Sequence, residues 1–210
     1  MRQISFIVWS FLLVAAMSSC KKDNDNGNEV SEYPDPIQQF ISQGMIDSLR
    51  NAGATIYSGK TPPIVNGIYL MHPDSCIYDN GNSASVGAIF SDYKFQFANQ
   101  NNTSFTLDFA QKSVPANVLS NPPVQTFISG SGNHFSIFVL RNLSVNGSIP
   151  VEQYNVFSGT LTTGGIQNFQ NVLYMRNKFG DESNVYVVAK GTIRVFVTGA
   201  PGLATTQTTF

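Results

Sequence analysis

The sequence predicts an all-β domain: an antiparallel β-barrel of eight or nine strands, with a β-sandwich as the alternative and one helix ahead of it. Three observations carry this expectation. Beyond Pro62-Pro63 the apolar residues recur at period two, most plainly at Tyr93, Phe95 and Phe97 and again at Phe105, Leu107 and Phe109. Clusters of Gly, Asn, Pro and Ser separate such runs, and no helical pattern intervenes. Charged residues make up 12% of the 210 residues, which excludes a disordered chain, a coiled coil and a long-helix bundle. Aromatic residues also reach 12%, a large payload for a core. A formal net charge of −1 gives no electrostatic reason to expect a nucleic-acid partner.

The elements follow in chain order. Residues 1–19 read as a signal peptide: Arg2 is the positive start, Ile4 to Ala16 the apolar core, Ser18-Ser19 the small residues. The apolar run is about thirteen residues, short of the ~20 that cross a bilayer as a helix. Met17-Ser18-Ser19-Cys20 resembles the lipobox of bacterial lipoproteins, with Met17 where Leu is usual. That resemblance implies an acylated Cys20 at the mature N-terminus, and acyl chains at ~0.8 kcal/mol per buried CH₂ make the attachment stable. Residues 20–34 then form a flexible acidic tether, with no apolar side chain from Lys21 to Glu29. Acidic residues just after the Cys resemble the export signal of Bacteroidota surface lipoproteins. A calcium-loop reading from Asp23 fails, because Gly27 falls one place early and position twelve is Pro34.

The domain is expected over 35–210. Asp35 as a cap, Pro36 at the first helical position and a stripe at Ile37, Phe40, Ile41, Met45, Ile46 and Leu49 predict one helix over 36–51. Gly53 stops it. A hairpin follows at 93–109 around Asn99-Gln100-Asn101-Asn102, and further strand runs lie at 67–71, 124–129, 135–140, 156–162, 171–176, 186–190 and 192–197. Strands this poor in charge have aggregation-prone edges, which closure into a barrel removes. A transmembrane barrel would use the same alternation, but the lipobox and polar tether suit a soluble passenger better.

Little in the sequence carries chemistry. His72 and His134 are the two histidines, and no H-x-x-x-H spacing occurs, so no metal and no cofactor are expected. His72-Pro73-Asp74-Ser75-Cys76 is the one cluster of nucleophile, base and carboxylate types. It supports a cysteine hydrolase using Cys76 and His72 only as a minor alternative, because little nearby charge would lower the thiol pKa. No nucleophile elbow, Walker or dinucleotide motif is present.

Several stretches resemble a lipoprotein family of Bacteroidota. They are the lipobox through Cys20, Ala54-Thr55-Ile56-Tyr57, Pro62-Pro63-Ile64-Val65-Asn66-Gly67-Ile68-Tyr69, Phe97-Ala98-Asn99-Gln100-Asn101-Asn102 and Gly199-Ala200-Pro201-Gly202-Leu203-Ala204. Gly67-Ile68-Tyr69 is similar to the lipocalin G-x-W, with Tyr in place of Trp. The resemblance implies a lipocalin-like (calycin-type) barrel with no assigned chemistry. The expectation is a non-enzymatic envelope protein, lipid-anchored at the outer membrane on its surface side, or on the periplasmic face as the alternative. Its barrel is expected to hold a small apolar or amphiphilic ligand against Tyr69, Tyr93, Phe95, Phe97, Phe105, Phe109 and Phe135. The alternative is a structural or adhesive module engaging protein or glycan through its loops.

Overall fold

The computed structural model describes residues 32–120, 123, 125–200 and 202–210; the signal peptide, Cys20 and the tether up to residue 31 lie outside them. Two short helices come first, α1 (Asp35–Phe40) and α2 (Gln43–Asn51). A two-residue strand β1 (Lys60–Thr61) leads to β2 (Gly67–Met71), β3 (Asp74–Asp79) and the short β4 (Ile89–Phe90). The expected hairpin is β5 (Tyr93–Asn101) with β6 (Thr106–Ser113). β7 (Gln125–Ser131), β8 (His134–Val145), β9 (Ile149–Thr162) and β10 (Gly165–Lys178) then form a meander, followed by β11 (Ile193–Thr198) and β12 (Leu203–Gln207).

These twelve strands join in one sheet, and eight of them hydrogen-bond in a ring: β12, β2, β5, β6, β7, β8, β9, β10 and back to β12. This is the antiparallel all-β class that the sequence predicts. β11, β3 and β4 branch from β10. The fork has a local cause. Between Gln167 and Gln170 the β9–β10 register slips, so Asn168 and Phe169 stand opposite Gly159 alone. Asn168 takes φ 53°, a left-handed conformation that Asn tolerates. On the other edge of β10, residues 165–167 pair with β12 and residues 170–174 with β11. The bulge bends the strand and sends its two halves to different neighbours. Gly159 makes room for it, since a Cβ there would lie 2.3 Å from Ile166 Cγ2.

The ring is weakest between β6 and β7. Among the described residues the register holds one pair there, Thr106 with Phe127, beside an Ile128 N–H bond to Phe105 O. Residues 118–120 occupy the space where the strands part, bonding to Gln111 and Ser113 of β6.

Two apolar layers hold the domain. Inside the ring, Tyr69, Phe95, Phe97, Phe109, Phe135 and Phe157 join Val65, Met71, Ile137 and Phe169, all nearly or fully buried. Outside it, Ile37, Ile41, Ile46 and Leu49 of the helical segment cover Phe138, Val156, Val172 and Val195. β8 to β10 are therefore buried on both faces, which explains their continuous apolar runs.

The structure corrects the sequence reading at several points. The folded part begins by Glu32 rather than residue 35: Tyr33 is buried, its ring edge-on to Phe138 at 6.0 Å. The single helix over 36–51 is two. Ser42 is extended and its Oγ accepts Met45 N–H at 3.2 Å, so it caps α2 within the apolar stripe. Asp35 does not cap; Pro34 occupies that place, with no side-chain bond. Residues 186–190 are not a strand, because Asp181 captures the Val185, Tyr186 and Val187 amides at 2.8–3.0 Å, and a ladder would need them. The His72–Cys76 cluster runs into β3, and β3 and β12 are strands beyond those expected.

Candidate functional site

The aromatic side chains named from sequence divide by position. Phe95, Phe97 and Phe109 pack with Phe157 and Phe169 at centroid separations of 4.9–6.3 Å. Tyr69 lies 5.9 Å from Phe97 and donates its hydroxyl to Val65 O at 3.1 Å. Phe135 is fully buried on the same face. These rings are one another's partners and form a packed core. Phe105 is not on this face: it ends the hairpin turn at φ 57°, half-buried. Tyr93 is half-buried, its ring 6.2 Å from Phe95.

Tyr93 marks a change of chemistry. Following the inward parity along each strand, Leu107 and Phe109 lead to Gln111, Ile137 and Val139 to Arg141, and Phe157 to Asn155 and Gln153. All four polar residues are 2–7% exposed. The ring interior is thus aromatic over most of its length and polar at the end where β6 stops, β8 runs on and β5 begins. Gln153 Nε2 donates to Asn155 Oδ1 at 2.8 Å, and Asn155 Nδ2 to Asn171 Oδ1 at 3.0 Å. This amide chain is satisfied from within, as buried polar groups ordinarily are.

Arg141 is different. It is 3% exposed; Nη1 donates to Gln111 Oε1 at 2.6 Å, and Nε has no partner. Its Cζ lies 5.8 Å from the Phe109 ring centroid, a cation–π contact. None of the ion pairs among the described residues includes it. Burial lowers its pKa from the ordinary guanidinium value to about 10, so at neutral pH it is still a cation.

Asp74, on β3, is a second buried ionisable group. It is 2% exposed, its Oδ1 has no hydrogen-bond partner, and it pairs in register with Thr198, whose buried hydroxyl is likewise unpartnered. Burial, assisted by the Asp92 charge, pushes its pKa up to about 7. Tyr93 is coupled to both ends: burial raises its pKa, Asp74 adds to the rise and Arg141 opposes it. A buried acid and an unpaired buried base converging on one tyrosine is an arrangement structural cores seldom keep.

The Asp74 shift has a measurable sign. The carboxyl ionises near 4 in the unfolded chain and near 7 in the folded one, so folding is penalised as pH rises from 4 to 7 and fully so above. Asp74→Asn removes the penalty. The variant is expected to exceed wild type in stability by up to about 4 kcal/mol at pH 8 and by no more than about 1 kcal/mol at pH 4.5, in urea titrations at both values.

Other candidate chemistry stays apart. Cys76 is buried, its thiol donates to Tyr78 O at 3.4 Å, and burial raises its pKa, the reverse of activation. His72 Nδ1 pairs with Asp92 Oδ2 at 2.7 Å on the surface, and no hydrogen bond joins His72 to Cys76 among the described residues. No group of three or more His, Cys, Asp or Glu could hold a metal ion among them. No helix among them is long and apolar enough to cross a membrane. A groove of about 450 Å³ lies outside the ring, lined by Gly81, Asn82, Asn184–Ala189 and Arg194. Asp79 fixes its floor, accepting from the Gly81 and Asn82 amides and pairing with Arg194 Nε at 2.7 Å.

No protein family, characterised protein or solved structure matches the chain. Function therefore has to be read from the interior itself.

Sequence reasoning missed Arg141, Gln111, Gln153, Asn155 and Asn171, and met Asp74 only as the carboxylate of the His72–Cys76 cluster. The signal for the first four was parity: each continues an inward-facing register beyond its last apolar residue.

Proposed function

We propose that this chain is a non-enzymatic binding protein of the cell envelope, tethered through a lipid on Cys20 to the outer membrane and facing the surface. In this reading its β domain takes a small amphiphilic ligand at the polar end of the ring, near Tyr93, with the ligand's apolar part against the neighbouring aromatic rings. The observation that carries the reading is the division of one interior into a packed aromatic body and a buried polar layer whose hydrogen-bonding capacity is partly unused. Because Phe95, Phe97, Phe109 and Phe157 fill one another's contacts, the ligand is confined to the end of the ring.

The test is native mass spectrometry of the full chain purified from envelopes, followed by solvent extraction. A stoichiometric amphiphile released from the protein is expected; a chain that carries none and enriches none from lipid extract overturns the reading. Labelled palmitate should mark the wild type and spare Cys20→Ser.

A second reading, a module that engages protein or glycan from outside, is favoured by the groove beside Arg194, where Tyr186 stands 63% exposed among Asn82 and Asn184. Loss of partner binding on Tyr186→Ala, with no ligand in the extract, would select it.

A further inference from the structure

Arg141 offers five N–H donors in a planar fork. Its bond to Gln111 uses part of that capacity, and Nε is left buried and unpartnered. No carboxylate of the described chain pairs with it. A cation buried without a counter-charge is unfavourable, and an apolar side chain of similar volume would ordinarily be as good or better for folding alone. Among the described residues no hydrogen bond joins it to Gln153 or Asn155, whose amides bond to one another and to Asn171.

The surroundings define the missing anion. Phe109 flanks the guanidinium at 5.8 Å, and Phe95 and Phe157 pack against Phe109 at 6.3 Å and 5.0 Å. That wall disfavours a strongly hydrated polyanion and suits a singly charged group carried on apolar carbon. A carboxylate presents two coplanar acceptors that match the fork of a guanidinium.

We infer that Arg141 is the counter-ion for the carboxylate of a small monoanionic amphiphile, which seats its apolar portion toward Phe109. The inference rests on the reading that the ring end binds an amphiphile, and specifies the head group.

Calorimetry on the full chain carrying Cys20→Ser, with octanoate, octanol and octyltrimethylammonium as probes, tests it. Octanoate should bind, octanol at least 10-fold more weakly, and the ammonium not at all. Arg141→Gln should weaken octanoate roughly 10- to 100-fold and leave octanol unchanged, while Arg141→Lys, which keeps charge without the fork, falls between. If Arg141→Gln does not fold by its thermal melt, the head-group comparison on the unaltered site decides. Equal binding of octanoate and octanol overturns the inference and leaves amphiphile binding standing; binding of none of the three overturns both.

Discussion

Phe157→Ala is expected to destabilise the domain by about 3–5 kcal/mol, measured as a shift of the urea midpoint at unchanged slope. Phe157 is fully buried at the centre of the ring. Its ring meets Phe95 at 4.9 Å, Phe109 at 5.0 Å, Phe169 at 6.2 Å and Phe97 at 6.3 Å. Those partners come from β5, β6 and β10, so the truncation leaves a void that no single strand can close by moving. The lost transfer energy and the cavity cost add. Phe157→Leu should cost clearly less, because most of the volume stays. A loss below about 1 kcal/mol for the alanine variant would mean that these rings do not form the packed body described above.

The second large effect is expected at the closure of the ring. Gly165 pairs with Thr162 of β9 on one side and Thr205 of β12 on the other. Its φ is +142°, a conformation that side chains rarely adopt, and a Cβ there would lie 2.1 Å from Ala204 O. Gly165→Ala therefore adds backbone strain of roughly 1–3 kcal/mol to overpacking of about the same size. Its neighbour is the control: a Cβ on Gly164 would meet only Leu203 Cδ2, at 3.7 Å, so Gly164→Ala should stay within about 0.5 kcal/mol. Hydrogen exchange should locate the Gly165→Ala damage in β12 and β2, with β8 and β9 protected as before. Equal stability of the two variants would show that β12 does not close on β10 at this point.

The hairpin was the most legible part of the fold. Aromatic alternation gave β5 and β6, but the turn lies at 102–105 rather than over 99–102, and the pairing of Phe97 with Phe109 is reached through a bulge after Ala98. The helical stripe was legible as a buried face but not as two pieces, because periodicity runs through Ser42 and a cap inside a stripe leaves the period unchanged. β3 was hidden by its composition: Asp74, Ser75 and Asp79 beside Pro73 look like turn chemistry, yet Asp74, Cys76 and Asp79 are buried. Tyr186 to Lys190 has strand propensity, but its first two amides go to the Asp181 carboxylate five and six residues back, a side-chain capture that propensity does not report. The polar layer was illegible for a simpler reason. Ordinary expectation puts arginine and glutamine in water, and only the completed register turns Arg141 and Gln111 inward.

The position of β12 bears on how such a chain is made. Thr205 must find Leu70, so the first strand of the ring waits for nearly the last. Synthesis proceeds from the N-terminus, and until residues 203–207 emerge, β2 and the leading half of β10 each present an open flank. Ring closure thus waits for β12, and is slow, since distant pairing pays its loop entropy in advance. During that delay two copies with open flanks can exchange closing strands, a hazard that grows with crowding.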